Sequence, residues 1–501
     1  MSTATTPPRT PLAPPAPLDL LEPRLRALCD AYLGAGKVPG ASVAIVAADQ
    51  RYHHAHGVKV AGQDAPVTAA TGFNIGSCSK AFASATVAAL VGEGLAQWDD
   101  PLTRWVPEFA LHDPTLTAQV SLRDVCGNRL GLPRVGFTEY GFVPSVPVER
   151  ILGGLRHTAP IHPLRDRFTY VNAGHTAAAL AAGRIGGLGF LPTLRQRLLE
   201  PLGMTGTSGG AAAESELADR AGWHIRDGEQ VLAVDQVFAD HYLGSGGMVV
   251  SGQDALQWLR LHLNGGLVDG HQVLPRAALL ETHRPTAVAT PGKDVLSLFY
   301  PGARMGAYAL GWAVADLEGH PVVCHSGSDY GVTAMTLLLP RAGIGIAVYA
   351  NALTNVVVPL AHALAATLLA LPPRDWLAYY KAAAAAITPP PAAAPQPGVQ
   401  AALPLADYAG VYSHPADGPL QIQPAGETLA GHFPDGNLMD CDLKPLGGHR
   451  FALQFNQVPN SLTLLGFQLE FQLVGGAVAA AVLHDAAGAT RVFARAAPAA
   501  A

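Results

Sequence analysis

In the stretch NIGSCSKAF, Asn74–Phe82, a lysine follows a serine by three positions: Ser77 and Lys80. Residues three apart share one face of a helix, so the Lys80 amine can reach the Ser77 hydroxyl. A serine is a weak nucleophile until a base takes its proton, and a desolvated lysine can be that base. Lysine is scarce in this chain. Lys37, Lys59, Lys293, Lys381 and Lys444 are the others, and none has a serine three positions before it. The structural alternative is a serine capping a helix start with a surface lysine in the next turn. The spacing alone does not choose between the two.

Downstream, FTYVNAGH supplies Tyr170 and Asn172, a Tyr-x-Asn, and VVCHSGSDYG supplies His325 and Gly327, a His-x-Gly at a strand end. Each is weak by itself; their order along the chain gives them weight. Cys78 and Cys324 flank these residues, but small buried thiols pack well and are usually inert. In a strand, His54 and His56 share a face while His53 points away. With no His-Glu-x-x-His or Cys-x-x-Cys pattern, neither a metal nor a cofactor is expected. GRIGGLGF follows a helical pattern, which argues against a phosphate cradle.

The elements that must position these residues are legible from their periods. GASVAIVAAD and RYHHAHGVKV read as two strands joined by a turn at Asp49-Gln50, and SKAFASATVAALVGEGL reads as a helix. Helix and loop signals dominate from about Asp99 to Gly270. Strand signals return with ALGWAVAD, PVVCHSG, AMTLLLP and IGIAVYAN. The expected class is α+β: one antiparallel sheet built from both ends of the region, flanked by helices, with a helical subdomain alongside. Ala342–Pro373 carries no Asp, Glu, Lys or Arg and is long enough to span a bilayer. Asn351, Thr354, Asn355, Pro359 and His362 interrupt it, so it reads as a buried strand followed by a buried helix.

Four segments are expected. Residues 1–17 are a flexible lead-in and 18–386 the main domain. Residues 387–400, ITPPPAAAPQPGVQ, form a semi-rigid linker that few contacts should cross. Residues 401–497 form an antiparallel β-barrel or sandwich of roughly eight strands. In this last part Phe451, Leu453 and Phe455 alternate onto one face, as do Phe467, Leu469, Phe471 and Leu473. The net charge is -6 and no Lys/Arg cluster is evident, so neither nucleic acid nor membrane is an expected partner. The start of the chain lacks a signal-peptide pattern, and five scattered cysteines do not make a disulfide framework; both fit a cytoplasmic setting.

Taken in order, VPGASVAIV, FNIGSCSKAFAS, VSLRDVCGNRLGLP, YVNAGHTAAALA, LEPLGMTGT, GSGGMVVSGQDALQWLRLHL, YALGWAV, HSGSDYGV and GIGIAVYANA resemble the serine β-lactamase-related hydrolases. That family includes class C β-lactamases, D,D-carboxypeptidases, D-aminopeptidases and β-lactamase-fold esterases. The resemblance covers about Asp19 to Leu369 and implies a β-lactamase/transpeptidase-like fold. The tail LADYAGVYSHPADGPLQI is similar to the small barrel that often follows it.

By resemblance, Ser77 is the nucleophile, Lys80 and Tyr170 move protons, and Asn172 orients Lys80 and the substrate. His325, Gly327 and Ser328 face the substrate, and the Ser77 and Ser328 N–H groups form the oxyanion hole. Two departures stand out. His325 occupies the place where β-lactamases usually carry a lysine, and GNRLGLP stands where relatives commonly read His-Thr-Ser-Gly-Leu-Pro. Arg129 therefore either meets a substrate carboxylate or forms a structural ion pair, the commoner fate of a loop arginine. The expected activity is that of a serine peptidase, amidase or esterase acting on a small-molecule or peptide substrate, with a homo-oligomer possible. The rival readings are a β-lactamase or a non-catalytic penicillin-binding or scaffold protein. His325→Lys is expected to turn such a site toward β-lactams.

Overall fold

The run GASVAIVA, Gly40–Ala47, is buried along its whole length and forms strand β1. A run that is apolar on both faces suits a strand covered on both sides. Its hairpin partner β2, Gln50–Gly57, is the edge strand and mixes exposed with buried side chains. The hairpin turns at Ala48–Asp49, one residue earlier than predicted, because Gln50 pairs with Ala47 and belongs to β2.

Six further strands arrive much later in the chain: β3 Ala287–Ala289, β4 Gly306–Tyr308, β5 Ala313–Leu317, β6 His320–Asp329, β7 Val332–Leu339 and β8 Ile344–Ala350. All eight make one antiparallel sheet in the order β3-β4-β5-β6-β7-β8-β1-β2. β8 lies beside β1, with Ala350 opposite Ala41 and Ile344 opposite Ala47, so both ends of the domain build the same sheet.

Helices α1, Leu18–Ala35, and α5, Val357–Leu368, cover one face, where Leu25, Val43, Ile346 and Leu360 share a core. The other face is covered by α2, Ser79–Gly92, and α4, Gly252–Leu263; α3, Asn172–Gly186, packs on α2. α2 is apolar nearly all round, as a central helix must be, and Phe82 stacks on Trp258 at 3.8 Å. The charge-free stretch resolves into β8 followed by α5, as read. Among the described residues no single helix is long and apolar enough to cross a membrane.

A further helix, α6, Trp376–Ile387, precedes the C-terminal part. There β9 Gly410–His414, β10 Gly418–Ala425, β11 Thr428–His432, β12 Cys441–Gly447, β13 Arg450–Phe455, β14 Gln468–Val474, β15 Ala477–His484 and β16 Thr490–Arg495 form a closed barrel. Closure comes from β16 returning to β9, with Tyr412 opposite Arg495. Phe451, Leu453, Phe455, Phe467, Leu469 and Phe471 fill its core, as their alternation predicted.

The computed structural model describes residues 17–133, 146–289, 306–387, 395, 396, 398–434, 440–456, 467–484 and 490–496. Nearly all of the expected lead-in, and residues 388–394 and 397 of the expected linker, lie outside the described residues.

Among the described residues, the contacts that cross from the barrel to the main domain are few and local. Arg491 on β16 is buried, and its Nη1 donates to Thr158 Oγ1 at 2.7 Å. Within the barrel, Asp417 Oδ2 lies 3.2 Å from Arg491 Nε and 3.0 Å from His414 Nδ1 and so backs this contact. Gly154 presses on Ala416: a Cβ on that glycine would sit 2.8 Å from the Ala416 Cβ. Partners drawn from separate parts of a chain leave no local pattern, so composition could not reveal them.

Candidate active site

Ser77 stands on a single 3-10 turn, Gly76–Cys78, that leads into α2, so it precedes the α-helix expected to carry it. Ser79 fixes this junction: its Oγ donates to Gly76 O at 2.6 Å and accepts from Met248 N at 3.0 Å. Ser77 is half-buried, whereas Lys80 is fully buried. A buried lysine disposes of the capping-serine, surface-lysine alternative.

Lys80 Nζ lies 3.0 Å from Ser77 Oγ, 2.9 Å from Asn172 Oδ1 and 2.7 Å from the Ser245 carbonyl oxygen. Three acceptors match the three protons of an ammonium, which offsets the cost of burying the charge. Tyr170 OH lies 2.6 Å from Ser77 Oγ, and Lys80 Nζ is 4.7 Å from the Tyr170 ring centroid. Ser77, Lys80, Tyr170 and Asn172 therefore meet at one point. Asn172 opens α3, which fixes its direction, and Tyr170 lies just before it. Asn128 holds that approach: its carbonyl accepts from Thr169 N at 2.8 Å and its Oδ1 from Val171 N at 3.2 Å.

Gly327 and Ser328 lie on β6, against the turn that carries Ser77. A Cβ on Gly327 would fall 1.9 Å from Ile75 O and 2.9 Å from Ser77 N. Gly76, at φ +49°, answers it: a Cβ there would fall 2.7 Å from Ser328 N. Two glycines thus let the two backbones touch, with the N–H groups of Ser77 and Ser328 on the touching segments. An oxyanion requires two such fixed donors.

His325 is fully buried. Its register, opposite Thr336, puts it on the α2 side of the sheet, beside Tyr170 at 6.3 Å between ring centroids. Nδ1 lies 2.6 Å from Ser326 O and Nε2 3.0 Å from Tyr308 OH. With Nδ1–H donating to the carbonyl, Nε2 accepts from the phenol. Burial first, and the charge of Lys80 second, push its pKa down to about 3, so the ring is neutral. The resemblance implies that His325 faces the substrate; in the structure its ring is fully buried, beside Tyr170 and Tyr308. His175, on α3, is likewise fully buried; burial first, and the charge of Lys80 second, hold it well below the usual histidine range.

Arg129 takes the structural role. Its Nε donates to Asp124 Oδ1 at 2.7 Å. Asp124 is fully buried and also accepts from Arg165, at 2.8 Å, and from Ser121 N, at 2.9 Å. Burial pushes Cys78 and Cys324 up to about 12, so neither thiol competes with Ser77. His53 points away from His54 and His56, as its parity required, and bonds Ser42 Oγ at 2.8 Å.

Residue types missed Ser245, Asn128 and Tyr308. Ser245 lies in GSGGMVVSGQDALQ, a segment that stood out for its resemblance, but it acts through a backbone carbonyl, which has no residue-type signature.

Residues 25–371 match the family described as Beta-lactamase. The chain belongs to this family. Among relatives of this beta-lactamase-family chain is the "Unguisins hydrolase ungD" of Aspergillus violaceofuscus, 24% identical over 423 residues, or 77% of this chain and 74% of the relative. Another is "Protein flp" of Staphylococcus aureus, 24% identical over 323 residues, 63% of this chain and 60% of the relative. Among solved structures, the octameric penicillin-binding protein homologue from Pyrococcus abyssi superposes with TM-score 0.62 at 18% identity, covering 94% of this chain and 99% of that one. SurE superposes with TM-score 0.58 at 19% identity, covering 96% and 100%; it has also been solved with D-Leu. These structural likenesses concern the fold.

Proposed function

We propose that this beta-lactamase-family chain is a serine hydrolase that cleaves ester, amide or peptide bonds of small substrates through an acyl-enzyme on Ser77. One observation carries the reading: Ser77 Oγ, half-buried and reachable, lies within hydrogen-bond distance of both a buried lysine amine and a phenol. Ser77 Oγ attacks the carbonyl carbon and passes its proton to the Lys80–Tyr170 pair, which in the reactive state is a Tyr170 phenolate beside the Lys80 ammonium, so that the Tyr170 oxygen takes the proton. The tetrahedral oxyanion rests on the Ser77 and Ser328 N–H groups. Collapse breaks the scissile bond, and the departing oxygen or nitrogen takes the proton back. Water then attacks the acyl group, and Ser77 is regenerated. Lys80, ringed by acceptors, stabilises the negative charge on the Tyr170 oxygen before the transfer and on Ser77 Oγ as it is released.

A neutral, buried His325 offers no charge to a substrate carboxylate, which favours esters and amides over β-lactams. The D-Leu of the SurE structure directs the amide arm of the test toward D-amino acids. The test is one purified sample treated with a fluorophosphonate, then assayed on p-nitrophenyl esters, D- and L-aminoacyl amides and a chromogenic cephalosporin. One adduct on Ser77, absent in Ser77→Ala, with ester or amide turnover is expected. An adduct on a different serine ends the assignment. Labelling of Ser77 without turnover of any substrate would favour the scaffold reading, and dominant cephalosporin hydrolysis the β-lactamase reading.

A further inference from the structure

On the face of the sheet opposite the Ser77 site, α1 brings Asp30 against β2. His54 and His56, two apart on that strand, both turn toward α1, while His53 points to the α4 side and bonds Ser42. Asp30 Oδ1 lies 3.3 Å from His54 Nε2 and 3.7 Å from His56 Nδ1. The three ligating atoms lie within 4.8 Å of one another. A tetrahedral zinc with bonds of ~2.0 Å has ligand–ligand edges of about 3.3 Å, so the spacing already approaches that of a bound ion.

A second observation points the same way. His54 is only 8% exposed, and its Nε2 is aimed at the cluster, facing Asp30 Oδ1 at 3.3 Å with an alignment too poor for a good hydrogen bond. A buried nitrogen in that condition is a standing cost, which a metal bond would remove. His56 and Asp30 are more open, with side chains 25% and 55% exposed, so an ion can enter from solvent and keep waters. The competing positive charge is Arg26, one turn before Asp30, and it is paired with Glu22 at 2.8 Å.

We infer that Asp30, His54 and His56 form a divalent transition-metal site, two imidazoles and one carboxylate with water completing the shell, of the kind that takes zinc. The ion ties α1 to the edge strand β2. The sheet separates it from Ser77, so it is a structural site and takes no part in the serine chemistry.

The test uses the full chain, stripped with a chelator and titrated with zinc by calorimetry, with bound metal counted by mass spectrometry. One zinc per chain is expected, with a melting temperature that rises on zinc addition. Asp30→Asn, His54→Ala and His56→Ala should each weaken binding about tenfold or more, or 1.4 kcal/mol or more. His53→Ala and His432→Ala, on the opposite face and on the barrel, should leave it unchanged. Cobalt(II) should give visible absorption bands that disappear in His56→Ala. Because His56 is partly exposed, that variant decides the matter even if His54→Ala misfolds; fluorophosphonate labelling of Ser77 reports its folding. Zinc binding that is absent, or that survives both histidine substitutions, overturns the proposal.

Discussion

Ser77, Lys80 and Tyr170 share one proton network, so removing either partner of the serine should cost about as much as removing both. Lys80→Ala, Tyr170→Phe and the double variant should lower kcat/KM on p-nitrophenyl acetate to similar extents. Multiplicative losses would show two independent groups and end the shared-proton scheme. His325 calls for a different expectation from the one its position along the sequence raised. A lysine there would place an ammonium in a fully buried wall among Tyr308, Tyr170 and Lys80, where the described neighbours are phenols and a second ammonium. An unpaired buried charge costs about 3–5 kcal/mol. His325→Lys should therefore lower the melting temperature sharply, without a gain on cephalosporins. Because burial pushes His325 down to about 3, it should also leave no inflection in the pH–rate profile between pH 5 and 8. An inflection near 6.5 that His325→Gln removes would prove the ring titratable and the buried placement wrong.

At the scale of elements, the site depends on how closely β6 approaches the 3-10 turn. Any side chain at Gly327 would collide with the Ile75 carbonyl, which is backbone and cannot swing aside. Gly327→Ala should cost about 1–3 kcal/mol of stability, the usual range for overpacking, and should cut kcat far more than KM, because the oxyanion donors separate. Wild-type turnover in that variant would show that the two backbones have room to spare. The elements themselves were legible where a period or a continuous apolar run dictates them: β1, α2, β8 with α5, and the alternating barrel strands. What was not legible depends on geometry that no local pattern encodes. Gln50 pairs with Ala47 and shifts the hairpin turn by one residue. The 3-10 turn beneath Ser77 is set by Ser79 and Met248, far apart in sequence. Asn128, Ser245 and Asp30 reach their partners through a backbone carbonyl or across separate elements. The Ser-x-x-Lys and Tyr-x-Asn spacings, whose residues the structure brings together, were legible because chemistry constrains residue type as well as place. The fate of Arg129 needed Asp124, five residues earlier and already in view, but a loop has no spacing rule to join them.

For the molecule as a whole, the barrel meets the main domain through Arg491, which donates to Thr158 Oγ1 and lies beside Asp417, a buried carboxylate of the barrel itself. Arg491→Ala leaves that carboxylate with less than its due and frees Thr158, so it should loosen the barrel, read as faster proteolysis after Ile387. Unchanged proteolysis would mean that apolar contacts suffice. Acid is the wider stress. His325 and His362 are fully buried, and burial pushes them down to about 3 and about 4, against about 6.5 in an unfolded chain. Between those values the unfolded state binds protons that the folded state refuses, so unfolding becomes easier as pH falls. The stabilising contribution is complete above pH 6.5 and is lost progressively down toward pH 3–4. Each such histidine adds a slope of up to about 1.4 kcal/mol per pH unit within its window. Asp124, held below the usual carboxylate range because its arginine and serine partners outweigh burial, adds a loss of the same sign at lower pH. Asp254, raised by burial, works in the opposite sense, but as a single group. Urea unfolding at pH 7.5, 6.0 and 5.0 should therefore give midpoints that fall at each step, and His362→Gln should flatten the decline. A midpoint constant across that range would mean that these rings take up protons without unfolding the chain, and that the cores around them admit water.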